Sequence, residues 1–119
     1  MNIYNPEVSM SSLYINFDSI SWIESSTNNI FLHCVDGSVI TLDFKYECLK
    51  DSEFYSIKDK FSNKIIRLWN NLFVKNNIRS IEVSGCFLNI VFIGGSSFKY
   101  QGFDEEVNEI ATNILSSLK

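Results

Sequence analysis

Apolar and polar positions alternate with period two along much of this chain, and the alternating stretch comes twice. Ile20 to Phe44 aligns without a gap on Ile78 to Gly102, at a constant offset of 58. Ile20, Ile23, Glu24, Ser26, Gly37 and Ser38 meet the same residue types at Ile78, Ile81, Glu82, Ser84, Gly95 and Ser96. Each copy reads as a strand, a second strand, a two-residue turn and a third strand, because side chains in a half-buried strand point alternately to core and solvent. Ahead of the first copy, Leu13, Ile15 and Phe17 alternate with Tyr14, Asn16 and Asp18, which predicts one more strand. Ser25–Asn29 is a polar turn. Strands over Ile30–Val35 and Ser38–Phe44 flank Asp36-Gly37, a pair suited to a type I′ hairpin turn.

That turn predicts a register in which Val35 faces Ser38, His33 faces Ile40 and Phe31 faces Leu42. The core face then carries Phe31, His33, Val35, Ile40, Leu42 and Phe44. In the second copy Gly94-Gly95 takes the turn, a strand over Arg79–Val83 precedes it, and Phe87, Val91, Ile93, Phe98 and Tyr100 share a face. A helix follows each copy. Asp51, Phe54, Ile57, Phe61 and Ile65 correspond to Asp104, Val107, Ile110, Ile114 and Leu118, with Asp51 and Asp104 as N-caps. Apolar residues 107, 110, 111, 114 and 118 form one stripe, suited to a helix lying on a sheet. The first helix is expected to run further. There Ile66, Trp69 and Phe73 join Ile65, Leu68 and Leu72 and widen the apolar arc to about half the circumference. Ile66, Trp69 and Phe73 are therefore candidate interface residues, packed on the N-terminal strand or on a second subunit.

The predicted fold is α+β: an antiparallel sheet of 6–7 strands with two helices, built from two strand-strand-strand-helix repeats sharing one core. Neither repeat is large enough to bury a sheet face alone. Residues 1–119 form a single domain, with residues 1–12 a loose N-terminal arm holding Pro6, repeat one about 13–75 and repeat two about 78–119.

At 45% hydrophobic and 20% charged residues, the chain can bury a real core. The net charge of −4 is unevenly placed. Residues 1–50 hold six acids against Lys45 and Lys50, whereas residues 51–77 hold Lys58, Lys60, Lys64, Arg67 and Lys75 against three acids. This distribution disfavours nucleic acid as a partner, since phosphate binding needs a clustered basic surface, and makes a basic protein more plausible. Cys34, Cys48 and Cys86 have no disulfide or zinc spacing. No signal segment or apolar run of membrane-spanning length occurs, so the expected location is cytoplasmic and the membrane is not a partner.

Candidate chemistry is sparse. His33 sits mid-strand with no acid or nucleophile at a recognised spacing, and Cys34 beside it points to the opposite face, which disfavours a shared metal. Gly94-Gly95 leads into a strand, not into a helix as a phosphate loop does. Glu24 and Glu82 occupy equivalent repeat positions, the duller account being two strand ends facing water. Lys60, Lys64 and Arg67 lie on the polar side of the expected first helix, a solvated face or a nucleic-acid contact. No catalytic residue, metal ligand or cofactor site is expected, and the chain reads as a non-enzyme.

The duplicated strands-then-helix layout resembles that of Whirly and PUR proteins, which implies a curved sheet able to bind single-stranded nucleic acid. The small, acidic, catalytically bare composition resembles that of immunity proteins of bacterial toxin systems and of phage-encoded inhibitors. The reading drawn from these is a bacterial or phage immunity protein that neutralises a toxin or nuclease by direct binding. Glu24, Asp36, Asp43 and Glu47 are its partner-binding residues, opposing a basic cleft. The alternatives are a single-stranded nucleic-acid-binding module and a dimeric structural adaptor, a homodimer built on Trp69 and Phe73.

Overall fold

The structure, a computed structural model, describes residues 3, 4, 6 and 14–118. It is α+β. Its elements run β1 (Ile3–Tyr4), β2 (Ile15–Asn16), β3 (Ile20–Ser25), β4 (Asn29–Cys34), β5 (Val39–Asp43), α1 (Glu47–Lys60), β6 (Ile65–Leu68), β7 (Asn71–Val74), β8 (Ile78–Ser84), β9 (Phe87–Phe92), β10 (Ser97–Gln101) and α2 (Asp104–Ser117). The strands make three antiparallel sheets rather than one: a five-stranded sheet in the order β5-β4-β3-β7-β6, a three-stranded sheet β10-β9-β8, and the pair β1-β2. The expectation of a single sheet of 6–7 strands is corrected accordingly. Splitting the strands gives the five-stranded sheet two apolar faces to bury.

Successive residues along β3, β6 and β7 divide between two cores. Ile23, Ile65, Leu72 and Val74 face a cluster with α1, Tyr4, Ile15 and Phe17. Trp22, Ile66 and Phe73 face a second cluster with α2 and the three-stranded sheet, through Leu88, Ile90 and Phe92. Strand β7 is therefore buried on both faces, all four residues of it, which matches its near-continuous apolar sequence. In the first core Phe17 stacks on Phe61 at 3.9 Å between centroids, with Tyr4 edge-on to the same ring. Tyr4 also donates to the buried Glu53 carboxylate at 2.5 Å. The buried ammonium of Lys50 donates to Ser25 Oγ and pairs with Asp51.

Three further expectations are corrected. The first hairpin closes through three residues, not two: Gly37 N–H donates to Cys34 O at 3.0 Å, Cys34 N–H donates to Ser38 O at 2.8 Å, and Gly37 has φ +90°. A turn followed by a left-handed glycine shifts the register by one residue. Phe31 pairs with Thr41, Leu32 with Ile40 and His33 with Val39. A one-residue slip moves every side chain of a strand to the other face, so Ile30, Leu32 and Cys34 are buried while Phe31, His33 and Val35 are only half-buried. The same slip in the second hairpin buries Leu88, Ile90 and Phe92 and leaves Phe87 and Ile93 exposed. Second, the first helix begins at Glu47 and ends at Lys60, so Asp51 lies inside it, and Asp104 is the first residue of α2 rather than its cap. Beyond it, Ile66 and Phe73 are not neighbours on a helix but cross-strand partners in the β6–β7 hairpin. Third, the arm is not loose where it is described: Ile3–Tyr4 pairs with Ile15–Asn16, and Tyr4 and Pro6 are buried. Leu13 and most of the predicted arm lie outside the described residues.

Besides sharing the second core, the two halves are joined by hydrogen bonds. Asn77 sends its side-chain amide to the carbonyls of Asp18 and Ile20 at 2.7 and 2.8 Å, and the Ser21 and Ser96 hydroxyls lie 3.2 Å apart.

Candidate functional site

Strand β6 is one edge of the five-stranded sheet and β5 is the other, roughly 19 Å apart at ~4.8 Å per strand. The two edges carry opposite charge. On the β5 side lie Asp43, Asp36 in the preceding turn and Glu47 opening α1, against Lys45 alone. On the β6 side Lys64 and Lys75 oppose each other directly. Ile65 pairs with Val74, and one step further out Lys75 N–H donates to Lys64 O at 3.0 Å. Like charges facing across a ladder destabilise it, and among the described residues neither lysine has a carboxylate partner. Arg67 follows on β6, exposed and likewise without an acid. Together with Lys58 and Ser62 it lines a shallow hollow of about 270 Å³ on the α1 side of the strand.

The tip of the β6–β7 hairpin adds an aromatic group. Leu68 pairs with Asn71, leaving Trp69 and Asn70 as the turn. Trp69 has φ +52° and is 58% exposed. Glycine is the usual occupant of a first turn position with positive φ, and holding a bulky residue there costs on the order of 1–2 kcal/mol. Asn70 fixes the strained turn: its side-chain amide donates to Ser25 O at 2.7 Å, and its carbonyl accepts from Ser25 N–H at 2.8 Å. One side of the indole rests on Tyr100, 5.2 Å between centroids. From the Lys64–Lys75 pair to Trp69 the hairpin extends roughly 15 Å at ~3.3 Å per residue.

Of the residues singled out in the sequence, Glu24 and His33 come together. The Glu24 carboxylate lies 3.2 Å from a ring nitrogen of His33, and that imidazole stacks under Trp22 at 4.0 Å. The acid partner of His33 thus lies on the neighbouring strand, invisible at sequence spacing. Glu82 lies on β8 and accepts from Asn89. Asp36 accepts from both the Ser38 hydroxyl and the Ser38 N–H, and these two bonds hold its carboxyl below the ordinary 3.8. Asp43 accepts from Asn29. Three of the four acids thus have local partners that account for their positions. Of Ile66, Trp69 and Phe73, the first and last are buried in the second core and Trp69 alone is exposed. No three His, Cys, Asp or Glu side chains among the described residues gather as a metal site. Among the described residues no helix is long and apolar enough to cross a membrane.

No protein-family model matches the chain, and no curated protein matches it. Among solved structures it is similar to the LytTr DNA-binding domain of a Bacillus cereus protein described as a putative methyl-accepting/DNA response regulator. The likeness has a TM-score of 0.61 and 11% identity, and covers 97% of each chain. It is a likeness of fold. It overturns the expectation of a toxin-neutralising immunity protein with a basic partner, and with it the expectation that nucleic acid is a disfavoured partner. The expectation against nucleic acid rested on segment charges with no clustered basic surface, and charge counted along the sequence is a poor guide to which cations the fold brings together.

Proposed function

We propose that this protein is a non-enzymatic DNA-binding module that uses the β6–β7 hairpin as its contact surface. The observation that carries the reading is the set of cations along the hairpin, Lys64 and Lys75 toward one face and Arg67 toward the other, with no acidic partner among the described residues and with the exposed Trp69 at the tip. The fold likeness to a DNA-binding domain supports it. Phosphates would neutralise the opposed lysines, and Arg67 presents a planar fork suited to a phosphate oxygen pair. The indole offers a face on which an unpaired base can stack, and Asn70 holds it in place beforehand, so little ordering remains to be done on binding. A cytoplasmic setting is part of this reading.

We further infer that the chain arose by duplication. Strands β3, β4 and β5 begin 58 residues before β8, β9 and β10. The register shift between Ile20 and Trp22 recurs between Ile78 and Ser80. The bond from Val35 N–H to Ser19 O recurs from Ile93 N–H to Asn77 O. The β6–β7 hairpin, paired onto β3 between the two copies, is the part of this region that would carry the contact role.

The test is fluorescence anisotropy with labelled single-stranded and duplex oligonucleotides over a range of salt. Affinity should fall as salt rises. The Lys64→Ala/Lys75→Ala pair should reduce the slope of log K against log salt by about 0.7–0.9 for each phosphate that the variant no longer neutralises. Trp69→Ala should weaken single-strand binding by roughly 1–3 kcal/mol without changing that slope. Binding that is absent, or indifferent to salt and to all three residues, overturns the proposal.

A further inference from the structure

On the α2 side of β6, across the strand from the hollow at Lys58 and Ser62, lies a second and better-defined cleft of about 280 Å³. Its floor is aliphatic: Ile66 and Leu68 from the strand, Ile110 and Ile114 from the helix. Its rim is not. Arg67 and Lys75 stand on the strand side, and Asn113 and Ser117 on the helix side. The volume is at the small end of metabolite sites, which run from roughly 300 to 1,000 Å³ and combine an apolar body with a few placed polar groups.

We propose that this cleft binds a small amphipathic anion, with an aliphatic body and a single carboxylate or phosphate head. Three observations converge on that class. Five branched aliphatic residues, Ile65 among them, and no aromatic one line the cleft, which suits an alkyl body better than a planar ring. Two cations with no carboxylate partner among the described residues stand at the same rim, and one of them, Lys75, already faces Lys64 across the ladder, so an anion there relieves a repulsion that no described acid relieves. The other wall decides orientation. Helix α2 ends at Ser117 with no basic residue in its last turn, and its terminal carbonyls carry partial negative charge. An anionic head is therefore held on the strand side by Arg67 and Lys75, with Asn113 lining the opposite, helix side. The inference goes beyond DNA binding and does not depend on it. It shares Arg67 and Lys75 with the proposed contact strip, so a bound anion would compete with phosphate.

The probes are octanoate and monooctyl phosphate, with octanol and octylamine as controls. Binding is followed by amide chemical shifts of the free protein, with no nucleic acid present. One octanoate or octyl phosphate should bind with shifts centred on Ile66, Leu68, Ile110 and Ile114, about tenfold more tightly than octanol, the worth of one charge-assisted hydrogen bond. Octylamine should be weaker still. Arg67→Glu, an exposed substitution, should weaken both anions about tenfold and leave octanol unchanged. Ser117→Trp, on the exposed end of α2, should block all of them, with an unchanged amide spectrum elsewhere confirming the fold. Equal binding of octanol and octanoate, shifts centred elsewhere, or no saturation by about 10 mM would overturn the proposal. If the anions bind and DNA does not, only the nucleic-acid reading fails.

Discussion

The carbonyl oxygen of Val35 occupies the place where a Cβ on residue 94 would stand, so the hairpin turns of the two halves touch at Gly94. Gly94 and Gly95 have nearly the same φ, +94° and +96°, yet only Gly94 abuts a neighbour; beside Gly95 there is open space. Gly95→Ala should cost about 1–2 kcal/mol from positive φ alone. Gly94→Ala should cost that plus a further ~1–3 kcal/mol for pushing the turns apart. Urea denaturation of the two variants reads the difference directly, and equal losses would mean that the turns are not pressed together.

Asn77 joins the same halves by hydrogen bonds rather than by close approach. Its amide serves two carbonyls of the segment leading into β3, and it is itself buried. Asn77→Ala leaves the buried Ile20 carbonyl without this donor and removes the bond to the part-buried Asp18 carbonyl, a loss of roughly 2–4 kcal/mol. Equilibrium unfolding should show it, with both halves melting in one transition.

Trp69 and Phe73 are four residues apart and should respond in opposite ways. Phe73 is fully buried, edge-on to Phe98 at 4.9 Å, and Phe73→Ala should cost about 3–5 kcal/mol. Trp69→Gly removes an exposed ring and relieves a positive-φ strain, so its stability should change by no more than ~1 kcal/mol in either direction. Thermal melts separate the two, and Phe73→Ala is not suited to binding measurements.

Tyr100 gives the protein an alkaline signature. Its hydroxyl donates to the Glu106 carboxylate at 2.5 Å, and that bond, helped by partial desolvation and the nearby negative charge, raises its pKa above the ordinary 10.0. The unfolded chain loses this proton near 10.0 while the folded chain retains it. The contribution is therefore complete below about pH 10 and is lost as pH rises through the raised folded value. The stability difference between the wild type and Tyr100→Phe should shrink over that window, as measured by denaturant titrations at successive pH values.

Much of the architecture is legible in the sequence because strands and turn glycines leave strong local marks. The alternation over Ile30–Phe44 and its echo over Leu88–Gln101 locate two hairpins correctly. The second strand of each hairpin keeps its predicted face, with Leu42 and Phe44 in one core and Phe98 and Tyr100 packed on the other, but the first strand comes out reversed because Asp36-Gly37 looks like a two-residue turn, while Val35 belongs to the loop as well. That distinction depends on backbone geometry the residue types do not encode. The segment Ile65–Phe73 mimics a helix for a related reason. Its apolar residues satisfy the i, i+3, i+4 pattern, and a strand buried on both faces has no alternation to betray it. The same mimicry hides the candidate site. Lys64 and Arg67 are visible as basic residues, but Lys75 faces Lys64 only once the hairpin folds back, and Trp69 is at a tip only if the helix does not exist. The His33–Glu24 pair spans two strands and likewise requires the register.

The opposite charges on the two edges of the five-stranded sheet have a consequence for the approach to a polyanion. Separated by roughly 19 Å, they form a dipole larger than any single ion pair, felt at distances near the ~8–10 Å screening length of ordinary salt. A rod of phosphates would repel the β5 edge and attract the β6 edge, rotating the incoming protein before the surfaces meet. A net-negative protein could thereby arrive at DNA with its hairpin leading, and with its acidic flank turned outward toward whatever else binds nearby.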